Sequence, residues 1–122
     1  MANLTLVINE LRNQKGEVCI ALFESKDGFP DDDTKAICDR CIAITELPMS
    51  VTFDVPYGSY SASILHDENK DGELNTNLVG IPKEGIGFSN DPMIIKGTPS
   101  FKTARFEFSE ALATTEVTMK YF

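Results

Sequence analysis

Tryptophan is absent, histidine occurs once, and the longest apolar run is Val18-Cys19-Ile20-Ala21-Leu22-Phe23. That run is far short of the roughly 20 apolar residues a membrane-spanning helix requires, so no membrane insertion is expected. Positive charge is also scarce: 11 Lys and Arg face 19 Asp and Glu, a formal net charge of −8. The basic residues are scattered, and a surface this acidic repels phosphate backbones, which argues against nucleic acid as a partner. A secretory leader is not expected either, because Asn3, Thr5, Asn9 and Glu10 interrupt the apolar start and no basic segment precedes it. Cysteine is sparse and odd in number. Cys19, Cys38 and Cys41 leave two arrangements open, one bridge plus a free thiol or three buried thiols.

Helical periodicity is missing as well, and strand alternation takes its place. The chain of 122 residues suffices for one domain with a hydrophobic core, so residues 1–122 are read as a single β-sandwich. Leu4, Leu6 and Ile8 alternate with polar neighbours. Asn13-Gln14-Lys15-Gly16 predicts a hairpin turn into a second strand over Glu17–Glu24, apolar on both faces and hence central. Ser25–Lys35 predicts a loop or a short helical turn. Strands follow over Ile37–Leu47 and Ser50–Val55, then a Pro56-Tyr57-Gly58 turn, then Ser59–His66 with Tyr60, Ala62, Ile64 and His66 on one face. A long irregular loop is expected over 67–100, and alternation resumes through Ala104, Phe106 and Phe108 and through Val117, Met119 and Tyr121. About seven strands with one large excursion predict an all-β, Greek-key sandwich of immunoglobulin-like architecture.

The most specific string is Asp67-Glu68-Asn69-Lys70-Asp71-Gly72-Glu73-Leu74-Asn75. A hard cation needs several oxygens at once, and alternate residues of a tightly curled backbone supply them. Asp67, Asn69 and Asp71 occupy the first, third and fifth positions of a calcium loop, and Gly72 permits the reversal at the sixth. Glu73 offers its carbonyl at the seventh position, and Asn75 acts at the ninth directly or through water. The twelfth position holds Leu78 rather than Glu, and the flanks read as strand, so this is not an EF-hand. Glu84 is the candidate for the distal carboxylate. The competing reading is a turn in which Asp67, Asn69 and Asp71 bond their own backbone.

From this loop outward the chain resembles a known family. Val51-Thr52-Phe53-Asp54-Val55-Pro56-Tyr57-Gly58-Ser59-Tyr60, His66-Asp67-Glu68-Asn69, the run from Gly80 to Asn90 and Pro99-Ser100-Phe101-Lys102-Thr103-Ala104 together are similar to the bacterial domain of unknown function 2141. The resemblance implies a transthyretin-like (prealbumin-like) β-sandwich, usually exported to the cell envelope, with no assigned activity. A protein or carbohydrate at the envelope is the partner such a module would meet. The Asp-x-Asn-x-Asp-Gly string is also similar to calcium loops in B-type repeats of surface adhesins, an analogy of motif and fold.

Other chemistry has weaker support. Cys38-Asp39-Arg40-Cys41 has redox-motif spacing but lacks the helix N-terminus that activates such a thiol. A zinc site of Cys19, Cys38, Cys41 and His66 requires three strands to converge. Ser89 lacks a nucleophile elbow. Phe53, Phe101, Phe106 and Phe108 are expected in the core, with Phe88 pinning its loop. Two functional classes therefore stand: a non-enzymatic envelope module ordered by calcium, or a small metal-dependent hydrolase built from His66, Asp67, Glu84 and Ser89.

Overall fold

Leu4, Leu6 and Ile8 are fully buried while their neighbours are not, as their alternation requires. They lie on β1 (Ala2–Asn9), the first of eight strands in the computed structural model, which describes residues 2–29, 32–67, 85–91 and 100–121. The others are β2 (Glu17–Phe23), β3 (Cys38–Ala43), β4 (Met49–Val55), β5 (Gly58–Asp67), β6 (Gly85–Phe88), β7 (Phe106–Phe108) and β8 (Thr114–Thr118). Helical structure among these residues is confined to a 3₁₀ turn at Asp33–Lys35 and one α-turn, α1 (Phe101–Ala104). No helix of the described residues is long and apolar enough to cross a membrane.

The strands form two sheets. One has the order β4-β1-β8, with β1 antiparallel to β4 and parallel to β8. The other has the order β3-β2-β5-β6 and is antiparallel throughout, with β7 pairing the first residues of β5 and β6 its last. The inner faces share one core. Leu4, Leu6, Ile8, Val51, Phe53, Val55 and Val117 from the first sheet meet Val18, Ile20, Leu22, Tyr60, Ala62 and Ile64 from the second. This is an all-β, two-sheet chain.

Several expectations are corrected. Asn13–Gly16 does not form a hairpin, because β1 and β2 belong to different sheets. Glu10 (φ 66°) and Gly16 (φ 71°) both take left-handed conformations, and the chain between them crosses from one layer to the other with Leu11 buried. Asn13 Oδ1 accepts the Lys15 amide at 2.9 Å within that crossing. The strand expected over Ile37–Leu47 is shorter, ending at Ala43, where the chain turns through Pro48 to the other sheet. Gly85–Phe88 is strand although it falls within the stretch expected to be irregular. Phe101–Ala104 turns helically, capped by the Ser100 side chain that accepts the Thr103 amide at 3.3 Å.

Both open sides are tied. Ile86 and Lys120 exchange backbone hydrogen bonds of 3.0 and 2.7 Å, joining β6 to the chain beyond β8. This approach depends on absent side chains: a Cβ on Gly87 would sit 2.7 Å from Met119 Sδ and 2.9 Å from Val117 Cγ1, and one on Gly85 would meet the Tyr121 ring. On the other side, Arg40 of β3 donates to the Thr52 carbonyl of β4 at 3.0 Å, its guanidinium 5.3 Å from the Phe53 ring centroid.

The turn from β4 to β5 is fastened by Tyr60, whose hydroxyl donates to the Pro56 carbonyl at 2.5 Å. Burial raises the Tyr60 pKa above its ordinary 10.0, and the nearby Glu24 and Cys38 charges add to the rise. A raised folded-state pKa favours the folded chain below pH 10 and lets stability fall as pH climbs through the raised value. Tyr60→Phe is therefore expected to lower stability by about 1 kcal/mol at neutral pH and to flatten the loss above about pH 10. Urea denaturation across pH measures both effects, and an unchanged alkaline slope would refute the assignment. Gly87→Ala should destabilise by about 1–3 kcal/mol through overpacking against Val117 and Met119. The same denaturation series checks this, with an unshifted midpoint as the contrary result.

Candidate functional site

Alternation gives the second sheet an outer face with two unlike ends. Along β2, Val18, Ile20 and Leu22 enter the core, so Glu17, Cys19, Ala21 and Phe23 face outward. At the Phe23 end the outer face is apolar and covered. Phe29 packs edge-on against Phe23, Phe88 and Phe101 at centroid distances of 5.2, 6.2 and 6.0 Å. Ile86, Phe88 and Ala104 are buried in this second cluster, with Leu65 beside them. Polar side chains bind the cover down. Ser61 Oγ donates to the Phe101 carbonyl at 2.8 Å, and Ser89 Oγ accepts the Ala62 amide at 2.8 Å and donates to the Ala104 carbonyl.

The Glu17 end is polar and sulfur-bearing. Cys19 and Cys41 stand directly opposite on β2 and β3, their Cα atoms 4.0 Å apart, and form a disulfide. Cys41 is exposed and Cys19 partly so. Glu17 Oε1 lies 4.0 Å from Cys19 Sγ, and the carboxylate and both sulfurs fall within 4.8 Å of one another. On the other flank of β2, Glu17 pairs with Asp67, the last residue of β5, which is fully buried. Two acidic side chains thus occupy directly opposed positions where β5 ends.

Of the residues expected to hold calcium, Asp67 is thus fixed at the end of β5, while Asn69, Asp71, Glu73, Asn75 and Glu84 lie outside the described residues. His66 points the opposite way. It is fully buried, with Nε2 2.9 Å from the Lys15 carbonyl and Nδ1 2.7 Å from the Tyr121 hydroxyl. A carbonyl only accepts, so Nε2–H donates to Lys15, and Nδ1 pairs with the Tyr121 hydroxyl. Tyr121 in turn accepts the Arg12 amide at 3.1 Å, and the Arg12 guanidinium lies 4.6 Å from its ring centroid.

Both ring nitrogens of His66 are engaged in holding the fold. Ser89 pairs with Ala62, four residues from His66 along β5 and so roughly 13 Å distant. His66 and Ser89 therefore form no nucleophile–base couple. The four-residue zinc set is not assembled either: Cys38 packs towards the core and His66 is inward, whereas Cys19 and Cys41 face outward. For the same reason Cys38 and Cys41, three apart on one strand, are not a redox pair, and Cys38 is a free thiol. Glu17 and Tyr121 were not singled out by the sequence. Their roles arise from pairing across 50 and 55 positions, which no local pattern announces.

The disulfide closes 22 residues, so its reduction is expected to lower stability by about 3 kcal/mol. Urea denaturation with and without a phosphine reductant measures this, and coincident transitions would contradict it.

No curated protein and no solved structure matches the chain. A family model does, over residues 6–116, described as an uncharacterized protein conserved in bacteria. The match covers both sheets from within β1 into β8, and the chain therefore belongs to the domain of unknown function 2141 family.

Proposed function

We propose that this chain is a non-enzymatic binding or structural module of the bacterial envelope, with a transthyretin-like Greek-key arrangement and a calcium ion held at the end of β5. The observation that carries the reading is the place of Asp67. A buried carboxylate ends a strand, and oxygen-bearing side chains recur at alternate positions immediately after it, followed by Gly72. Asp67, Asn69, Asp71, the Glu73 carbonyl and Asn75 are the proposed ligands, with Glu84 as the distal carboxylate. Without Glu84 the two aspartates suit weak binding, with Kd on the order of 10⁻⁴–10⁻³ M as in extracellular modules, and Glu84 would raise this towards moderate affinity. The occupancy of His66 and Ser89 by structural hydrogen bonds favours a module over a hydrolase. A protein or carbohydrate of the envelope is the proposed partner.

A ligand bound only by the folded chain stabilises it. Ten-millimolar calcium is expected to add about 1–3 kcal/mol, read as a higher Tm, with a matching calorimetric heat. Asp71→Asn should abolish the calcium-dependent rise while leaving the metal-free Tm within about a degree of the parent. The reading is overturned by a Tm indifferent to calcium with no heat of binding, or by metal-dependent ester hydrolysis that Asp71→Asn removes.

A further inference from the structure

The disulfide lies on an accessible face beside a carboxylate, and that combination has a second chemical state. Cys19 and Cys41 are directly opposed residues of paired strands with Cα atoms 4.0 Å apart, so the sheet keeps their sulfurs neighbours whether or not they are bonded. Glu17 lies two residues before Cys19 on the same face, its Oε1 4.0 Å from Cys19 Sγ. We propose that reducing the Cys19–Cys41 disulfide turns this face into a metal site in which two thiolates and the Glu17 carboxylate hold a zinc-class divalent cation.

The chemistry balances as an ordinary exchange with a dithiol reductant. A thiolate of the reductant attacks the exposed Cys41 sulfur, the S–S bond breaks, and Cys19 leaves as a thiolate. The second thiol of the reductant resolves the mixed disulfide. The reductant ends as its own disulfide, and two electrons have passed to Cys19 and Cys41. A divalent cation then takes both thiolates, and any proton still on either sulfur goes to solvent.

Two sulfurs on one tetrahedral zinc lie about 3.8 Å apart, given Zn–S bonds of about 2.3 Å. Unbonded sulfurs on opposed strand residues relax to nearly that separation, so the backbone need not move. Glu17 supplies the third ligand, and water completes the tetrahedron on the open side. Thiolate donors select zinc over calcium or magnesium, so this site is chemically separate from the calcium loop proposed above and does not depend on it. Cys38, facing the core, takes no part.

Cobalt(II) reports such a site through thiolate-to-metal charge-transfer absorption. The full chain reduced with a phosphine and titrated with cobalt chloride is expected to develop this absorption at one equivalent, to lose it on adding zinc, and to show none when oxidised. Cys19→Ser and Cys41→Ser should abolish it, Cys38→Ser should leave it intact, and Glu17→Gln should weaken cobalt affinity by about tenfold or more. Zinc should also raise the Tm of the reduced chain but not of the oxidised one, which separates a folded site from metal capture by unfolded thiols. The proposal is overturned if the reduced, folded chain shows no absorption or if the absorption requires Cys38. Loss of the β-sheet circular dichroism on reduction, not restored by metal, is equally fatal to it.

Discussion

The pairing of β2 with β5 is the constraint on which every other placement rests. Val18 opposite His66 and Ile20 opposite Ile64 send one set of side chains into the core. The intervening set, Glu17 opposite Asp67 and Cys19 opposite Leu65, goes outward. A slip by one residue would exchange the two sets, burying Glu17 and exposing Ile20, and burial of Val18, Ile20, Leu22, Ala62 and Ile64 opposes such a slip strongly. The core thereby decides where the polar groups stand. His66 becomes part of the interior, where Lys15 and Tyr121 satisfy it, and Asp67 becomes the outward end of a strand.

Closure of the two layers follows from the same parity. Gly85 and Gly87 fall on the inward-facing positions of β6, leaving space that Val117, Met119 and Tyr121 fill from the end of the chain. That packing brings Lys120 to Ile86 and delivers the Tyr121 hydroxyl to His66. The buried histidine, the two glycines and the terminal tyrosine are therefore one device. On the outer face, Phe29, Phe88 and Phe101 cover one end, while Glu17, Cys19 and Cys41 gather at the other, where Cys41 is exposed and Glu17 and Cys19 are half-buried.

Much of this was legible in the residues. Alternation marks β1, β4 and β5, the two-faced apolar run marks β2 as central, and the spacing of Tyr60, Ala62, Ile64 and His66 sets them on the one face that is buried. The arrangement of the strands was less legible. Asn13–Gly16 has the composition of a hairpin turn, yet turn chemistry does not say whether the next strand pairs with the last or crosses to the facing sheet. Gly85-Ile86-Gly87-Phe88 has low strand propensity and forms β6 because the β5 edge and the chain end around Lys120 recruit it. The choice between one bridge and three thiols could not be made from spacing, since Cys19 meets Cys41 only through the β2–β3 register. The same register places Glu17 beside them.

That register is tested most directly by determining which cysteines are cross-linked in the oxidised chain, by peptide mapping under non-reducing conditions with the free thiol alkylated beforehand. A single bridge between Cys19 and Cys41 is expected, with the alkyl label on Cys38. A bridge that includes Cys38, or label on Cys19 or Cys41 in the folded oxidised protein, would contradict the strand pairing from which the faces, the core and the site have been derived.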